Sequence, residues 1–231
     1  MIQSKIIHQV WEGKQEPLPD FFIALGNTWR DKHPNWEYVY WDKQKMDAFV
    51  DNYFSRYRSI YDNLLYDVQR WDVIRYMILY QQGGLYVDFD YECLSSLEGL
   101  LDEENCCFGV EAKIHAGQIG KECIVGNALM YSEPRHPFMK KVLERSLSIT
   151  HSSSMDKASY VLNTTGPFML TDLYETNKNQ DSVVLLPSDL ISPLSRDEIT
   201  SYIEGKIDEE LLNSKLEKAI AVHYYFGSWI K

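Results

Sequence analysis

Basic residues are in the minority in this sequence. Its 231 residues include 23 Lys and Arg against 34 Asp and Glu, and the formal net charge at pH 7 is −11. A broad basic surface for nucleic acid or for an anionic membrane is therefore not expected. An anionic ligand must instead be bound locally, by a metal ion, by helix N-termini or by a few Arg and Lys side chains.

Cysteines and long apolar runs are also scarce. Four cysteines are present, and the adjacent pair Cys106 and Cys107 fits neither a disulfide framework nor a C-x-x-C metal site. The N-terminal run MIQSKIIHQVWEG is too short and too interrupted for a signal peptide, and no stretch approaches the roughly 18 consecutive apolar residues of a membrane helix. These absences favour a cytoplasmic protein with reduced thiols, no transmembrane segment and at most weak peripheral contact with the inner face of a membrane.

Strand and helix patterns alternate along the chain. Expected strands cover 5–11, 37–42, 85–90, 106–111, 124–131 and 182–187. Expected helices cover 21–32, 44–53, 65–84, 136–149 and 208–219, and a Gly-Pro turn at 166–167 enters a further one. This alternation predicts an α/β fold with a mostly parallel sheet. No linker is long enough to mark a boundary, so we expect one domain over 1–231.

The stretch GGLYVDFDYE, residues 83–92, ends an apolar strand in acids. Residues i and i+2 of a strand share a face, so Asp88 and Asp90 are expected to project together. Two carboxylates so close repel each other unless a cation lies between them or one stays protonated. Mg²⁺ or Mn²⁺ suits such oxygen ligands, and ligands of open α/β sheets collect at the carboxyl ends of strands. The alternative is a solvated strand end with acids in a turn.

Two other D-x-D sites can be tested by spacing. An EF-hand loop that starts at Asp88 needs Gly at its sixth position and Glu at its twelfth, where this chain has Cys93 and Gly99. That interpretation fails. A haloacid-dehalogenase-like phosphatase, with Asp88 as nucleophile, would have Thr or Val where this chain has Glu92, and its motif normally follows the first strand. The phosphatase stays as a minor alternative.

Charges also occur in the helix expected over 65–84, whose core segment is apolar nearly all round. Asp72 and Arg75 are i and i+3 neighbours on one face of this helix. They could form an intrahelical ion pair. They could equally face a ligand cleft, where Arg75 would contact a sugar or phosphate and Asp72 would accept hydrogen bonds from sugar hydroxyls. The residues alone do not decide between these two interpretations.

Several separated motifs together resemble the D-x-D sugar transferases of glycosyltransferase family 32. The matching segments occur in the family's order and span almost the whole chain: KIIHQVWEG at 5–13, HPNWEYVYWD at 33–42, RWDVIRYMILYQQGGLYVDFD at 70–90, EPRHPFM at 133–139, TTGPFML at 164–170 and HYYFGSW at 223–229. The resemblance implies a GT-A nucleotide-diphospho-sugar transferase fold. It also implies transfer of a sugar from a nucleotide donor with retention at the anomeric carbon, supported by Mn²⁺ or Mg²⁺.

The resemblance implies roles for residues in two groups. Asp72, Arg75, Asp88 and Asp90 would be catalytic, with Asp88, Asp90 and His223 at the metal, although a lone His is often structural. The donor contacts would be His8, Gln9, Val10, Trp11, Asp72, Arg75, Tyr86, Asp88, Asn127, Ser228 and Trp229. Trp11 would stack on the base or serve as a core residue. The turn at 165–166 would lie near the sugar or acceptor.

The predicted function is that of a metal-dependent retaining glycosyltransferase. It would move a hexose or HexNAc from a nucleotide sugar, with a UDP-sugar favoured, to a glycan or lipid-linked glycan in surface or capsular polysaccharide synthesis. Front-face attack is the preferred route, because no carboxylate is marked as a covalent nucleophile. The alternatives are a GDP-mannose-dependent mannosyltransferase, a D-x-D phosphohydrolase and a non-catalytic sugar-nucleotide-binding protein.

Overall fold

The fold alternates short strands with helices through most of its length. The computed structural model describes residues 4–12, 17–101, 106–149, 155–177 and 182–227. The strands in these ranges are β1 (Ile6–Val10), β2 (Glu37–Trp41), β3 (Gly84–Val87), β4 (Tyr91–Cys93), β5 (Cys106–Val110), β6 (Val125–Ser132), β7 (Val184–Leu186) and β8 (Ala221–His223).

Helices separate most of the strands. They are α1 (Asp20–Lys32), α2 (Lys43–Phe54), α3 (Arg58–Asp62), α4 (Asp67–Gln82), α5 (Glu98–Leu101), α6 (Lys113–Gln118), α7 (Pro137–Leu147), α8 (Lys157–Thr164), α9 (Pro167–Asn177), α10 (Ser188–Ile191), α11 (Arg196–Ile203) and α12 (Glu209–Leu216). None of the helices within the described ranges is long and apolar enough to cross a membrane.

The main sheet has six strands in the order β2-β1-β3-β6-β5-β7. Strand β6 runs antiparallel to its neighbours β3 and β5, whereas β1–β2, β1–β3 and β5–β7 pair in parallel. A separate antiparallel pair joins β4 to β8. The predicted mostly parallel α/β sheet is therefore confirmed. Its topology brings the carboxyl ends of β1, β3 and β5 and the start of β6 to one edge.

Helix α4 is the centre of the core, as its apolar sequence predicts. Val73 and Ile74 pack in a cluster with residues of α2, and Tyr76 and Leu79 pack in another with residues of β6 and α7. The helix ends at Gly83, whose φ is +70° and where a Cβ would meet the carbonyl oxygen of Ser132 at 2.8 Å. Only glycine fits there without strain. This abrupt stop starts β3 directly after the helix.

The expected strand over 85–90 is wrong at its end. Strand β3 stops at Val87, the backbone N–H of Asp88 makes one more bond to the sheet at Ala128 (2.8 Å), and the chain then turns. The N–H of Tyr91 closes that turn on the carbonyl of Asp88 at 3.2 Å. Strand alternation therefore does not bring the two acids together. The turn does so instead, and it delivers the chain into β4, which sequence patterns missed.

Candidate active site

A cleft of about 550 Å³ opens at the strand-end edge of the sheet. Its lining includes side chains that follow β1 and β3, others from the first half of α4, the start of β6, and the segment after β8. Among the residues proposed from the sequence, the cleft brings together Val10, Trp11, Asp72, Arg75, Tyr86, Asp88, Asp90, Asn127 and His223.

Asp88, Asp90 and His223 form a compact group on this lining. One ligand atom from each lies within 4.8 Å of the others. The Nε2 atom of His223 is 3.2 Å from Oδ1 of Asp90, and the ring stacks on Tyr91 with centroids 4.3 Å apart. The backbone N–H of Phe226 donates to Oδ2 of Asp90 at 3.0 Å. Two carboxylates and an imidazole are a donor set that suits Mn²⁺ or Mg²⁺, so the residues fit a divalent cation.

The electrostatics of this group depend on its partners. Burial alone would raise the pKa of Asp90, but the charge and hydrogen bond of His223 and the Phe226 N–H lower it below its ordinary value. Burial would lower the pKa of His223, but Asp90 raises it. The pKa of Asp88 is raised, chiefly by burial against the attraction of Arg75. Asp90 and His223 thus each favour the charged form of the other, and a second acid lies beside them.

Arg75 links the acids to the central helix. Its guanidinium donates to Oδ1 of Asp88 at 3.1 Å and to the carbonyl of Asn127 at 3.0 Å, and it lies 3.3 Å from Oδ1 of Asp72. It also lies over the ring of Tyr86, at 4.7 Å from the centroid, and the Tyr86 hydroxyl donates to Asp88 at 2.5 Å. Asp72 and Arg75 form the ion pair that the sequence allows, and both line the cleft, while their contact with a sugar or phosphate stays a prediction.

Asp72 is held on both carboxylate oxygens. Asn127 Nδ2 donates to Oδ1 and the Thr165 hydroxyl donates to Oδ2, each at 2.8 Å. The Tyr76 hydroxyl donates to the Thr165 carbonyl at 2.6 Å and receives a bond from Asn127 at 3.2 Å, which closes a ring of contacts. Burial raises the pKa of Asp72 to about 6, despite the opposing effects of Arg75 and Thr165. The carboxylate is therefore rigidly oriented at the cleft.

Comparison with known proteins identifies the family. Residues 19–107 match the model described as a glycosyltransferase sugar-binding region containing the DXD motif. The chain is similar to this DXD glycosyltransferase family over those residues. Inositol phosphoceramide mannosyltransferase 2 of Schizosaccharomyces pombe is 30% identical over 76% of this chain and 47% of its own length. Mannosyl phosphorylinositol ceramide synthase SUR1 of Saccharomyces cerevisiae is 30% identical over 75% and 42%.

A more distant relative covers almost the whole chain. The initiation-specific alpha-1,6-mannosyltransferase of Candida albicans is 24% identical over 97% of this chain and 71% of its own length. The chain spans about half, or less, of the length of the phosphoceramide enzymes that it matches. The resemblance to glycosyltransferase family 32 that the motifs indicate is confirmed.

Solved structures agree on the fold. The PaToxG glycosyltransferase superposes with a TM-score of 0.55 at 15% identity, over 93% of this chain and 78% of that one. The UDP-bound glycosyltransferase domain of the YGT toxin gives 0.55 at 11% identity, over 92% and 89%. These similarities confirm the GT-A fold.

Not every residue expected at the donor lies in the glycosyltransferase cleft. His8 is fully buried, with Nε2 at 2.9 Å from the Gly83 carbonyl and Nδ1 accepting from Trp41 at 3.1 Å. Gln9 is also fully buried and accepts from the Tyr38 hydroxyl at 2.7 Å. His8 and Gln9 point to opposite faces of the sheet, and core side chains cover both faces, with Trp41 at His8 and Tyr38 at Gln9. The donor role expected of these two side chains is not supported by their position.

The next two residues of that segment do reach the cleft. Val10 and Trp11 line it, and the Trp11 ring packs against Phe22 and Phe89 at centroid distances of 5.2 and 6.1 Å. Trp11 therefore packs in an aromatic cluster and also borders the cleft, and its stacking on the base stays a prediction. Ser228 and Trp229 lie outside the described residues.

The two residues of the turn at 165–166 occupy different positions. Thr165 is buried and holds Asp72, whereas Gly166 borders the cleft. The sequence indicated only that this turn would lie near the sugar or acceptor.

Some cleft residues were missed from the sequence. Glu111, Lys157, Arg196 and Tyr225 line the cleft. Glu111 had a usable signal, because it is an acid at the end of the expected strand CCFGVE, as Asp90 is at the end of LYVDFD. Arg196 begins α11, an eight-residue helix whose S-x-x-E capping box, formed by Ser195 and Glu198, is a start signal that was overlooked in the sequence. Its position depends on long-range packing.

Proposed function

We propose that this chain transfers a sugar, with mannose favoured, from a nucleoside-diphosphate sugar to a hydroxyl acceptor with retention at the anomeric carbon. The observation that carries the proposal is the juxtaposition of Asp88, Asp90 and His223 with the Arg75–Asp72 pair in one cleft. The first group suits a divalent cation and the second suits a polyhydroxylated ring. A nucleotide sugar presents both a diphosphate and such a ring.

Asp88, Asp90 and His223 would hold Mn²⁺ or Mg²⁺. When bound, the cation neutralises the negative charge that develops on the departing diphosphate. Arg75 adds a fixed positive charge at the same place, since its guanidinium is buried and touches Asp88. The acidic net charge of the protein is compatible with this chemistry, because recruitment of the diphosphate does not need a basic surface.

Asp72 would stabilise the anomeric carbon as it becomes positive. Its two oxygens are occupied by Asn127 and Thr165, so it is oriented as a fixed charge rather than released as a nucleophile. In the front-face route the bond from C1 to the phosphate oxygen breaks while the acceptor oxygen bonds to C1 on the same face. The departing phosphate takes the proton of the acceptor hydroxyl.

Mannose is favoured because the named relatives are mannosyltransferases. The fungal proteins carry names that specify mannosyl transfer to inositol phosphoceramide or initiation of an alpha-1,6 linkage. We therefore favour GDP-mannose as the donor over the UDP-sugar expected from the sequence. The favoured acceptor is a hydroxylated lipid headgroup or a mannose glycan. A role in capsular polysaccharide has no support from these names.

A donor panel tests the proposal. The purified protein is incubated with GDP-mannose, UDP-glucose, UDP-galactose or UDP-N-acetylglucosamine, in Mn²⁺, Mg²⁺ or EDTA, and nucleoside diphosphate release is measured. We expect release from GDP-mannose that needs the metal, and NMR of the released or transferred sugar should show the α-anomer first. Preference for a UDP-sugar would reject the mannose assignment, and an inverted product would reject the front-face route.

The same assay addresses the phosphohydrolase alternative. Asp88 as a nucleophile would release inorganic phosphate from a simple ester and leave a trappable aspartyl-phosphate. We expect neither, because the Asp88 carboxylate is already engaged by Arg75 and Tyr86. Phosphate release without nucleoside diphosphate would overturn the transferase assignment.

A further inference from the structure

We propose that Glu111, oriented by His115, binds a hydroxyl group of the acceptor, which is a neutral sugar or polyol. This inference rests on the proposed function, since it names the second subsite of the same cleft. Nothing in the family motif at 19–107 includes Glu111, which lies beyond it.

The sheet topology places Glu111 next to the donor side of the cleft. Glu111 directly follows β5, and its N–H donates to the Ile124 carbonyl at 3.0 Å, beside the start of β6. Strands β3, β6 and β5 are neighbours, so Asp88, Asn127 and Glu111 stand in this order along one edge. At about 4.8 Å between strands, Glu111 lies roughly 10 Å across the edge from Asp88. That spacing leaves room for a second ring beside the donor sugar.

Glu111 is not part of the metal group. Within the described ranges, the cluster whose ligand atoms lie within 4.8 Å of one another consists of Asp88, Asp90 and His223. Glu111 nevertheless lines the same cleft as that group. It is therefore a separate carboxylate close to the reacting groups.

The carboxylate is held in place on one oxygen. The backbone N–H of Arg196 donates to Nε2 of His115 at 3.2 Å, which places the imidazole hydrogen on Nδ1. That Nδ1–H lies 3.2 Å from Oε2 of Glu111, and Tyr225 packs edge-on against the His115 ring at 5.1 Å. In the part of the chain that the structure describes, no donor contacts Oε1. The free oxygen belongs to a side chain that lines the cleft.

An oriented carboxylate with one open oxygen is suited to accept a hydrogen bond from a hydroxyl. Such a bond to a charged group contributes more than one between neutral groups, and it selects hydroxylated ligands. The alternative is that Glu111, just before α6, and His115, on α6, form only a structural i, i+4 pair that no ligand contacts. The two explanations differ in whether the affinity for the acceptor depends on the Glu111 carboxylate.

Saturation-transfer NMR with methyl α-D-mannopyranoside and with myo-inositol as probes tests the inference on the protein loaded with GDP and Mg²⁺. Calorimetry of GDP with Mg²⁺ is run in parallel. We expect the wild-type protein to bind at least one probe, and Glu111→Ala to weaken it about tenfold or more. Glu111→Gln keeps an oxygen acceptor and should lose less, and His115→Phe, which keeps the ring against Tyr225, should lose affinity through misorientation of Glu111.

The control is Glu98→Gln, which alters a carboxylate that bonds to Trp36 and Lys5 and does not line the cleft. It should leave probe binding unchanged. Unaltered probe binding in Glu111→Ala, or no probe binding by the wild-type protein, would overturn the inference. Loss of GDP binding in Glu111→Ala would also overturn it, because Glu111 would then belong to the nucleotide site. Failure of the wild-type protein to bind GDP would instead reject the proposed function.

Discussion

Strands β1 and β3 pair side by side, yet they use their polar residues in opposite ways. His8 and Gln9 lie inside β1, where both are fully buried and bond to neighbouring groups of the core. Asp88 and Asp90 lie just past the end of β3, on a turn, and border the cleft. The polar side chains inside β1 thus bond within the core, whereas the acids just beyond β3 are available to a ligand.

The two histidines show the same contrast electrostatically. Burial lowers the pKa of His8 to about 4, so it is neutral inside the core. The pKa of His223 is raised, because the attraction of Asp90 outweighs the effect of burial. The β1 side therefore depends on uncharged hydrogen bonding, and the cleft side depends on compensation of charge.

The largest expected effect comes from breaking that compensation at Arg75. Arg75→Met would leave the buried Asp72 and the part-buried Asp88 without their shared counter-charge. We expect the free energy of unfolding, measured by urea denaturation at pH 7, to fall by about 3–5 kcal/mol.

Arg58→Met is the matched control. Arg58 pairs with Asp47, Asp51 and Asp62 at the surface, and its side chain is 32% exposed. Its loss should cost about 1 kcal/mol or less. Equal losses for Arg58 and Arg75 would show that the cleft does not rely on buried charge pairing.

The second effect concerns the neutral β1 side. His8 has a folded-state pKa of about 4 against 6.5 in the unfolded chain. The unfolded state therefore binds the extra proton between these values, and the contribution of His8 is present above pH 6.5 and lost as pH falls through 4. At about 1.4 kcal/mol per pKa unit, we expect a loss of roughly 2–3 kcal/mol between pH 7.5 and 4.5.

Urea denaturation of wild type and His8→Asn at both pH values isolates this contribution. The variant should be less stable at pH 7.5, and its stability should fall less steeply than that of the wild type. Parallel pH profiles for the two proteins would mean that His8 titrates normally and is not enclosed as the structure places it.

The smallest expected effect concerns the cleft side, where Thr165 orients Asp72. Thr165→Val removes one of the two donors that orient Asp72, and we expect the kcat/KM for the donor to fall about tenfold, with Thr165→Ser near the wild type. Thr171→Val removes another buried hydroxyl, one that bonds to Val125 and Pro167 and does not touch the cleft. It should lower stability but not kcat/KM. Equal loss of kcat/KM in both variants would show that Thr165 acts only on the fold.

Local patterns predicted much of the fold. Asp42 caps α2 by accepting from the Lys45 N–H at 2.8 Å, as its position before the helix indicates. Gly83 ends α4, and the apolar runs at 106–111 and 124–131 form β5 and β6. These features depend on neighbours in sequence, which propensity and capping describe well.

The candidate site depended on contacts that no local pattern contains. His8 and Asp88 both lie in segments that match the family's motifs. Only the folded structure reveals that the His8 side chain is buried in the core. Thr165 reaches Asp72 across 93 residues, and Arg196 reaches His115 across 81. The approach of Asp88 to Asp90 was predicted for the wrong reason, because a turn rather than strand alternation produces it. Such details are fixed by packing.

Metal-dependent nucleotide binding tests the central claim most directly. Calorimetry of GDP binding is compared in Mg²⁺ and in EDTA for wild type, Asp90→Ala and Asp189→Ala, a control at an exposed acid that pairs with Lys113. We expect Mg²⁺ to tighten binding by at least about tenfold in the wild type and in Asp189→Ala, and to have no effect in Asp90→Ala. Metal-dependent affinity that survives in Asp90→Ala would contradict the assignment of this cleft as a cation and nucleotide-sugar site.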